Sequence, residues 1–367
     1  MIEDFAYRAL PTGVVLGKET SKTFYGKSHN KSYYLGCSTG GRHGWKTSME
    51  CSFNNLTSWS FHFLPLIGTE GAPTFVPLNM WPTIHQYILK QCDEVDGVAD
   101  EIFELADLCD YDPSGLLIFS PLYATDDSVV YPRLQPGAEA TEAPFTYFSG
   151  QHFAAADWFS YAIYNNSYRD PLSLKPEDYH LSADLNLFNI GTWDGGLSAF
   201  KDRGGKVLHY HGLVDAIISC DNSPRYYEHV SQTMNLDSKA LDEFYEYFRI
   251  SGMVHCGGGP RATFIGNQRR NTASLDPEEN VLTAIVRWVE ESIAPETITG
   301  TAYKNGSQSA GVDFKKRHCR WPYRNAYKGI GGYKDPNSWE RVVDEKAWSD
   351  TIMLEWLFLA DCTYSIQ

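Results

Sequence analysis

The sequence has 367 residues, of which 43% are hydrophobic and 21% charged, and this composition excludes a disordered or fibrous chain. Its 46 acidic and 31 basic side chains leave a net charge of −15, which argues against a binder of duplex nucleic acid, because such proteins need a basic surface. No run approaches the roughly 20 apolar residues that span a bilayer, so we do not expect an integral membrane protein.

Short strands and helices are predicted in two regions of the chain. Residues 32–36 are aromatic and apolar and lead through 37–41 into a helical segment over 42–49, which predicts a strand, a tight turn and a helix. Two further strands are predicted at 206–210 and 247–250, each followed by polar residues and glycine. This pattern is typical of an α/β fold with useful side chains just beyond its strand ends.

A further helix is predicted towards the C-terminus. Asp276 offers an N-cap, Pro277 the first helical position, and Glu279 an acid three residues after the cap. Apolar residues at helical spacing then form a face that should pack on the sheet: Val281, Leu282, Ile285, Trp288, Val289 and Ile293.

A candidate catalytic turn lies at residues 36–40, which match the pattern G-x-S-x-G. The glycines allow a strained turn that lifts the Ser38 hydroxyl above a sheet. The pattern alone is weak, because Gly-Ser-Gly loops are common. Its place between a strand and a helix strengthens it, because a helix N-terminus favours a developing oxyanion. Ser38 is therefore the candidate nucleophile, and the backbone amide of Thr39 is a candidate oxyanion donor.

A serine nucleophile needs a base and an acid that orients the base, and α/β-hydrolases carry them in the order serine, acid, histidine. Asp215 follows the second predicted strand, and His255 lies in a glycine-rich loop after the third. For a lone histidine elsewhere, a structural role with hydrogen bonds to its neighbours is favoured, and this applies to four others: His43, His62, His209 and His211.

Cysteines adjoin both candidate catalytic residues. Cys37 precedes Ser38 and Cys256 follows His255, so a disulfide between these cysteines would limit misalignment of the two loops. The alternative is two buried thiols. The chain has eight cysteines, and none forms the paired CxxC units of a structural zinc site, which favours disulfides.

Evidence on the compartment is divided. Four glycosylation sequons favour secretion, although such triplets also arise by chance: Asn30, Asn55, Asn165 and Asn305. The first eight residues carry acids where a signal peptide needs a basic end and then an apolar run, so no export signal is predicted in the chain as given.

Three segments, 36–42, 211–215 and 252–256, resemble successive motifs of the tannase and feruloyl esterase family, most of all its fungal feruloyl esterase B-like members. The resemblance extends through 54–59, 204–208 and 319–322, and so covers most of the chain up to about residue 335. It implies a secreted carboxylic ester hydrolase with a catalytic triad of Ser38, Asp215 and His255. The implied substrates are esters of hydroxylated aromatic acids: ferulate, coumarate or gallate.

The resemblance also implies a domain organisation. Residues 1–55 and 190–330 would form a discontinuous α/β-hydrolase core, and 56–189, which have aromatic clusters but little strand and helix alternation, a large inserted lid domain. Residues 331–367 would be a divergent C-terminal tail. Because chains of the family begin well before the position of Met1, we expect the core to be incomplete at its N-terminus.

An acidic loop lies between Cys92 and Cys109. Three carboxylates around Gly97 suit a hard cation with oxygen ligands, but the spacing is not that of an EF-hand, and an acidic solvated turn is the alternative. The resemblance implies a structural Ca²⁺ site in the lid, stapled by a Cys92–Cys109 disulfide. Its implied ligands are three carboxylates and two backbone carbonyls: Asp93, Asp96, Asp100, Val98 and Ile102.

We therefore expect an esterase that binds a small aromatic ester of plant cell-wall origin, with no organic cofactor and no nucleic-acid or membrane partner. One alternative is a non-catalytic phenolic- or glycan-binding protein that keeps a hydrolase shell. Another is an intracellular thiol protein with eight free cysteines. A count of thiols with and without reductant separates this last reading from the others.

Overall fold

A computed structural model describes residues 2–49, 63–104, 109, 111, 122–123, 129–131, 134–141, 149–150, 157–167 and 169–344. Its α-helices are α1 Ala9–Tyr25, α2 Thr39–Met49, α3 Phe63–Ile67, α4 Trp81–Cys92, α5 Pro176–Leu185, α6 Ser198–Asp202, α7 Asn222–Met234, α8 Ser238–Leu241 and α9 Val281–Glu291. No helix in these ranges is long and apolar enough to cross a membrane.

The strands pair two by two. They are β1 Leu122–Tyr123, β2 Val129–Tyr131, β3 Val207–Gly212, β4 Tyr245–Ile250, β5 Thr297–Tyr303, β6 Val312–Cys319, β7 Tyr323–Tyr327 and β8 Trp339–Val343. β3 and β4 are parallel, whereas β1–β2, β5–β6 and β7–β8 are antiparallel. The parallel pair brings the ends of β3 and β4 to one edge, where the predicted acid and histidine follow.

The strand predictions are confirmed in two places and wrong in one. β3 begins one residue later and ends two residues later than the strand predicted at 206–210, and β4 contains the segment predicted at 247–250 and begins two residues earlier. Residues 31–37 form no strand. Instead, the Tyr34 hydroxyl donates to the Gly40 carbonyl at 2.6 Å, so the aromatic segment folds against the turn that follows it.

The predicted C-terminal helix exists, but its N-cap lies four residues later than expected. Asn280 is the N-cap, and its side chain accepts the N–H groups of Leu282 and Thr283 at 3.0 and 3.2 Å. The preceding turn cannot join the helix because the Glu278 carbonyl accepts the N–H of Thr299 at 2.7 Å. A backbone bond to β5 thus overrides the local capping signal at Asp276.

Helix α9 packs on the parallel strands through a narrower face than predicted. Val281 and Ala284 share a buried cluster with Phe248 and Ile250 of β4. Leu282 is instead 38% exposed, and Ile293 lies beyond the helix end and is also exposed. The face is narrow because its buried positions follow a single i, i+3, i+7 row ending at Trp288.

A second hydrophobic cluster joins the loop that carries Asp215, the predicted acid, to the region predicted as a lid. Ala216, next to Asp215 in the chain, is fully buried against residues from 67–138, among them Trp81, Ile88 and Leu134. The predicted acid therefore lies where the ends of the strands meet this second region. The division into core, lid and tail stays a prediction.

Candidate active site

The turn at Ser38 has the strain that the G-x-S-x-G pattern predicts. Ser38 has φ +57°, in the left-handed region, and α2 begins at the next residue. A Cβ on Gly36 would lie 2.6 Å from the Gly40 carbonyl oxygen, closer than real contacts allow. Gly36 is therefore required by this close approach. A Cβ on Gly40 would meet nothing nearer than 3.7 Å, so the second glycine is not.

Tyr34 holds this turn from outside, a role that no sequence pattern indicates. Besides donating to the Gly40 carbonyl, its ring occupies the space that side chains at Gly36 and Gly44 would fill. Thr39, the predicted oxyanion donor, is the first residue of α2. Its N–H is one of the first-turn amides that have no partner within their helix.

The predicted Cys37–Cys256 disulfide is present, with a Cα–Cα distance of 5.6 Å across 219 positions of sequence. Ser38 and His255 are each the chain neighbour of a bridged cysteine, so their Cα atoms are at most about 13 Å apart. The Cys256 carbonyl accepts the side-chain amides of Asn267 at 2.7 Å and Gln268 at 3.0 Å. These two amides fix the loop that carries His255.

Asp215 and His255, predicted as acid and base, are in direct contact. His255 Nδ1 lies 2.9 Å from Asp215 Oδ2 and 3.1 Å from Oδ1. An ionised carboxylate only accepts hydrogen bonds, so Nδ1 must carry the proton and Nε2 is left as the basic nitrogen. Asp215 Oδ1 also accepts the N–H groups of Ile217 and Ile218 at 2.8 and 2.9 Å.

The electrostatics keep Asp215 ionised although the residue is only 4% exposed. Burial opposes ionisation, but hydrogen bonds from His211 and His255 outweigh it and hold the pKa of Asp215 below its usual range. His211 Nε2 lies 3.2 Å from Asp215 Oδ2. A carboxylate that stays charged in this position can stabilise a positively charged imidazole.

The other candidate histidines have different surroundings in the structure. His43 Nε2 contacts the Phe5 carbonyl at 2.7 Å, as the structural reading of that residue predicts. His62 lies outside the described residues. His209 and His211, also read as structural, form a hydrogen-bonded row that ends on Asp215. One signal was available, since residues 209 and 211 share a face of the strand that leads to the acid.

The acidic loop folds around its own carboxylates. Asp93–Asp96 form a 3₁₀ turn followed by Gly97 at φ +93°. Asp96 Oδ1 accepts the Val98 N–H at 3.1 Å, and Asp100 Oδ1 accepts the Ile102 N–H at 3.2 Å. Within the described ranges, no three His, Cys, Asp or Glu side chains group closely enough to hold a metal ion.

One observation on this loop fits a cation. Asp100 is 7% exposed, and its Oδ2 atom is buried without a hydrogen-bond partner in the described structure. Burial, with the nearby Glu104 carboxylate, raises the pKa of Asp96 to about 7. Burial, opposed by Lys316 and Arg261, raises that of Asp100 to about 6. A bound cation would supply the missing partner and favour the charged forms.

The second predicted disulfide, Cys92–Cys109, is also present, with a Cα–Cα distance of 5.3 Å. Two disulfides contradict the reading of eight free thiols. Cys220 and Cys319 are buried and belong to neither bridge, whereas Cys51 and Cys362 lie outside the described residues.

Three of the four sequon asparagines are exposed: Asn30, Asn165 and Asn305. The fourth, Asn55, lies outside the described residues.

The chain matches known proteins over most of its length. The sequence model of the family described as "Tannase and feruloyl esterase" matches residues 1–49 and 169–342. A probable feruloyl esterase B-2 from Aspergillus terreus is 43% identical over 379 aligned positions, which cover 94% of this chain and 72% of that protein. The feruloyl esterase C of Talaromyces stipitatus is 42% identical over 94% of this chain and 71% of its own length.

Solved structures agree. The crystal structure of feruloyl esterase B from Aspergillus oryzae superimposes with a TM-score of 0.87 at 43% identity, over 93% of this chain and 74% of that one. The tannin acyl hydrolase from Aspergillus niger superimposes with a TM-score of 0.69 at 20% identity, over 94% of this chain and 70% of that one, which shows a shared fold alone. These neighbours are consistent with the predicted α/β-hydrolase type of fold.

Proposed function

The chain belongs to the tannase and feruloyl esterase family and is a carboxylic ester hydrolase, and from that premise we propose that it cleaves esters of hydroxylated aromatic acids through an acyl-enzyme on Ser38. The contact that supports this proposal most is the hydrogen bond between His255 Nδ1 and Asp215, in the loop that the disulfide ties to the serine turn. This contact fixes the tautomer that a general base needs.

The proposed reaction transfers an acyl group to water. His255 Nε2 takes the proton of the Ser38 hydroxyl, and the serine oxygen attacks the ester carbonyl carbon. The Thr39 amide would donate to the oxyanion that forms. The alcohol leaves with the proton held by His255, and water then hydrolyses acyl-Ser38 by the same steps, while Asp215 stays ionised and stabilises the imidazolium.

The substrate class rests on the relatives, two of which carry the name feruloyl esterase B or C. We therefore expect methyl ferulate and methyl p-coumarate to be hydrolysed, with methyl gallate as a less favoured candidate. The test measures acid release from the three esters by the 367-residue chain. Ser38→Ala should lower kcat by a factor on the order of 10⁴ or more, whereas Ser28→Ala, at an exposed position of the preceding segment, should not change it.

A folded chain that hydrolyses none of the three esters would refute the proposal. Saturable binding of methyl ferulate without turnover would then favour the non-catalytic phenolic-binding alternative. Full activity in the Ser38→Ala variant would instead remove Ser38 from the mechanism and leave the esterase assignment in place.

A Ca²⁺ ion on the acidic loop is a second part of the proposal. Support comes from the partnerless Oδ2 atom of Asp100, and the proposed ligands remain the carboxylates of Asp93, Asp96 and Asp100 with the carbonyls of Val98 and Ile102. Adding Ca²⁺ to chelator-treated protein should raise Tm, and Asp100→Asn should abolish the rise. Asp184→Asn, at an exposed acid on α5, should preserve it. A Tm that does not respond to Ca²⁺ would refute the site.

Secretion is the remaining part of the proposal. Two disulfides are typical of proteins that fold in oxidising compartments, and Asn30, Asn165 and Asn305 are exposed enough to carry glycans. Because no export signal is predicted in the chain as given, the test fuses the chain to a secretion signal of a fungal host. The protein should be recovered folded from the medium, and its mass should fall on treatment with an endoglycosidase. Failure of the fused chain to fold and leave the cell would contradict this part of the proposal.

A further inference from the structure

A row of hydrogen bonds continues behind the proposed triad. His211 Nε2 lies 3.2 Å from Asp215 Oδ2, and His211 Nδ1 lies 2.6 Å from Ser223 Oγ. Ser223 Oγ lies 3.1 Å from His209 Nε2, and His209 Nδ1 lies 3.0 Å from the Tyr245 hydroxyl. The row joins β3, the start of α7 and β4.

The protons in this row have one consistent arrangement if both histidines are neutral. Asp215 can only accept, so His211 donates through Nε2 and its Nδ1 accepts the Ser223 hydroxyl proton. The Ser223 oxygen then accepts from His209 Nε2, and His209 Nδ1 accepts the proton of Tyr245. Burial, with the neighbouring His211, lowers the pKa of His209 to about 3, which keeps that ring neutral.

Every donor in the row therefore points towards Asp215, whose carboxylate in turn contacts His255 Nδ1. We propose that His211 is a positioning residue for the esterase reaction: its Nε2–H holds the Asp215 carboxylate in place and takes up part of its charge, and Ser223, His209 and Tyr245 fix the His211 tautomer that donates. This inference rests on the proposed function, because it assigns His211 a part in the same triad.

Two consequences distinguish this role from simple packing. Without the His211 donor, Asp215 loses one of the hydrogen bonds that fix its orientation, so it aligns the His255 ring less well. We therefore expect kcat to fall while KM stays the same, since no bound substrate is involved. Asp215 would also concentrate more negative charge on His255, so the imidazolium would keep its proton to a higher pH. The acidic limb of the kcat/KM profile, which reports the free enzyme, should move upward.

The titratable groups around this row are few in the described structure. Asp215 is influenced by His211 and His255, and His209 is influenced by His211. The rings of Tyr245 and Tyr247 lie 6.2 and 4.9 Å from that of His209, and burial raises the pKa of Tyr245 far above the range of an assay. A shift of the acidic limb would thus report on His255.

The experiment measures kcat, KM and the acidic limb of the kcat/KM profile for three variants, with methyl ferulate as substrate from pH 4 to 9. His211→Leu should lower kcat roughly 10- to 100-fold, the range for loss of a hydrogen bond to a charged group. It should also move the acidic limb to higher pH. His211→Gln, which keeps an N–H donor, should restore most of both. His229→Leu is the matched control, because His229 is a half-buried histidine on α7 whose Nε2 contacts the Trp193 carbonyl at 2.9 Å; it should leave both unchanged.

Ser223→Ala provides a variant that keeps the imidazole if His211→Leu does not fold. It removes one hydroxyl, and kcat should fall roughly 2- to 10-fold, the effect of a neutral hydrogen bond. One contrary result is an active wild type together with a His211→Leu variant that leaves both kcat and the pH of the acidic limb unchanged. That result, or the same result with Ser223→Ala if His211→Leu does not fold, would overturn the role of His211 and leave the esterase proposal in place. A folded but inactive wild type would overturn the esterase proposal, and the inference with it.

Discussion

Replacing both Cys37 and Cys256 by serine removes the covalent link between the serine turn and the histidine loop. The bridge spans 219 positions, and in the chain-entropy description a loop of that length contributes about 5 kcal/mol to the free energy of unfolding. The loop carbonyl would still be held by Asn267 and Gln268, but the serine turn would be free to drift from it. A misplacement of about 1 Å at a reacting atom can cost on the order of 10²-fold in rate.

The matched control is the Cys92→Ser, Cys109→Ser variant, which removes a bridge across 17 positions. It should cost about 3 kcal/mol and leave kcat/KM on methyl ferulate within about threefold of wild type. Urea unfolding gives the stabilities, and kcat/KM is compared at a temperature where all three proteins are folded. If the Cys37, Cys256 variant loses no more activity than the control, the bridge does not align the two loops and this reasoning fails.

Three further outcomes are expected. Asp215→Asn should lower kcat on the order of 10⁴-fold, because an amide cannot stabilise the imidazolium; a loss of less than tenfold in the folded variant would contradict the role of the acid. Glu246→Gln should raise the free energy of unfolding by at least about 1 kcal/mol at pH 8 and less at pH 5. Burial, with Asp242, raises the pKa of Glu246 to about 9. The wild-type free energy of unfolding is therefore highest below the unfolded-state pKa of this carboxyl and falls as pH rises towards 9, and glutamine removes that loss. Equal increases in the free energy of unfolding at pH 5 and pH 8 would be inconsistent with this. Gly36→Ala should lower both Tm and activity, because the new Cβ would clash with the Gly40 carbonyl. The control is Gly13→Ala in the exposed helix α1, where a Cβ meets nothing within 4 Å, and it should raise the free energy of unfolding by about 0.5–1 kcal/mol. A Gly36→Ala variant at least as stable as Gly13→Ala would contradict this reasoning.

The sequence predicts the parts of this site that depend on local pattern. The serine turn needs Gly36 for a close approach within five residues, and β3 and β4 are short segments of mainly aliphatic and aromatic residues with glycine at or just after their ends. Such signals can be recognised without knowing the neighbours. The pairing of Cys37 with Cys256 was also accessible, because both cysteines adjoin candidate catalytic residues.

The parts that were missed depend on contacts between distant segments. Asp276 looks like a helix cap until the bond from Thr299 to Glu278 is known. His211 looks like an ordinary half-buried histidine until α7 brings Ser223 to its other nitrogen. Residues 32–36 have strand composition, but strands require a partner, and Tyr34 turns back on the serine loop instead.

The distance along the chain between the two halves of the site sets an order of events during synthesis. Cys37 is translated 219 residues before Cys256, an interval of roughly 10–40 s at ribosomal rates of about 5–20 residues per second. Four other cysteines emerge in that time, at positions 51, 92, 109 and 220, and each is a competing partner for the waiting thiol. During this interval the nascent polypeptide carries the proposed nucleophile before the proposed base is made, and pairing of Cys37 with Cys256 then joins the two loops that carry them.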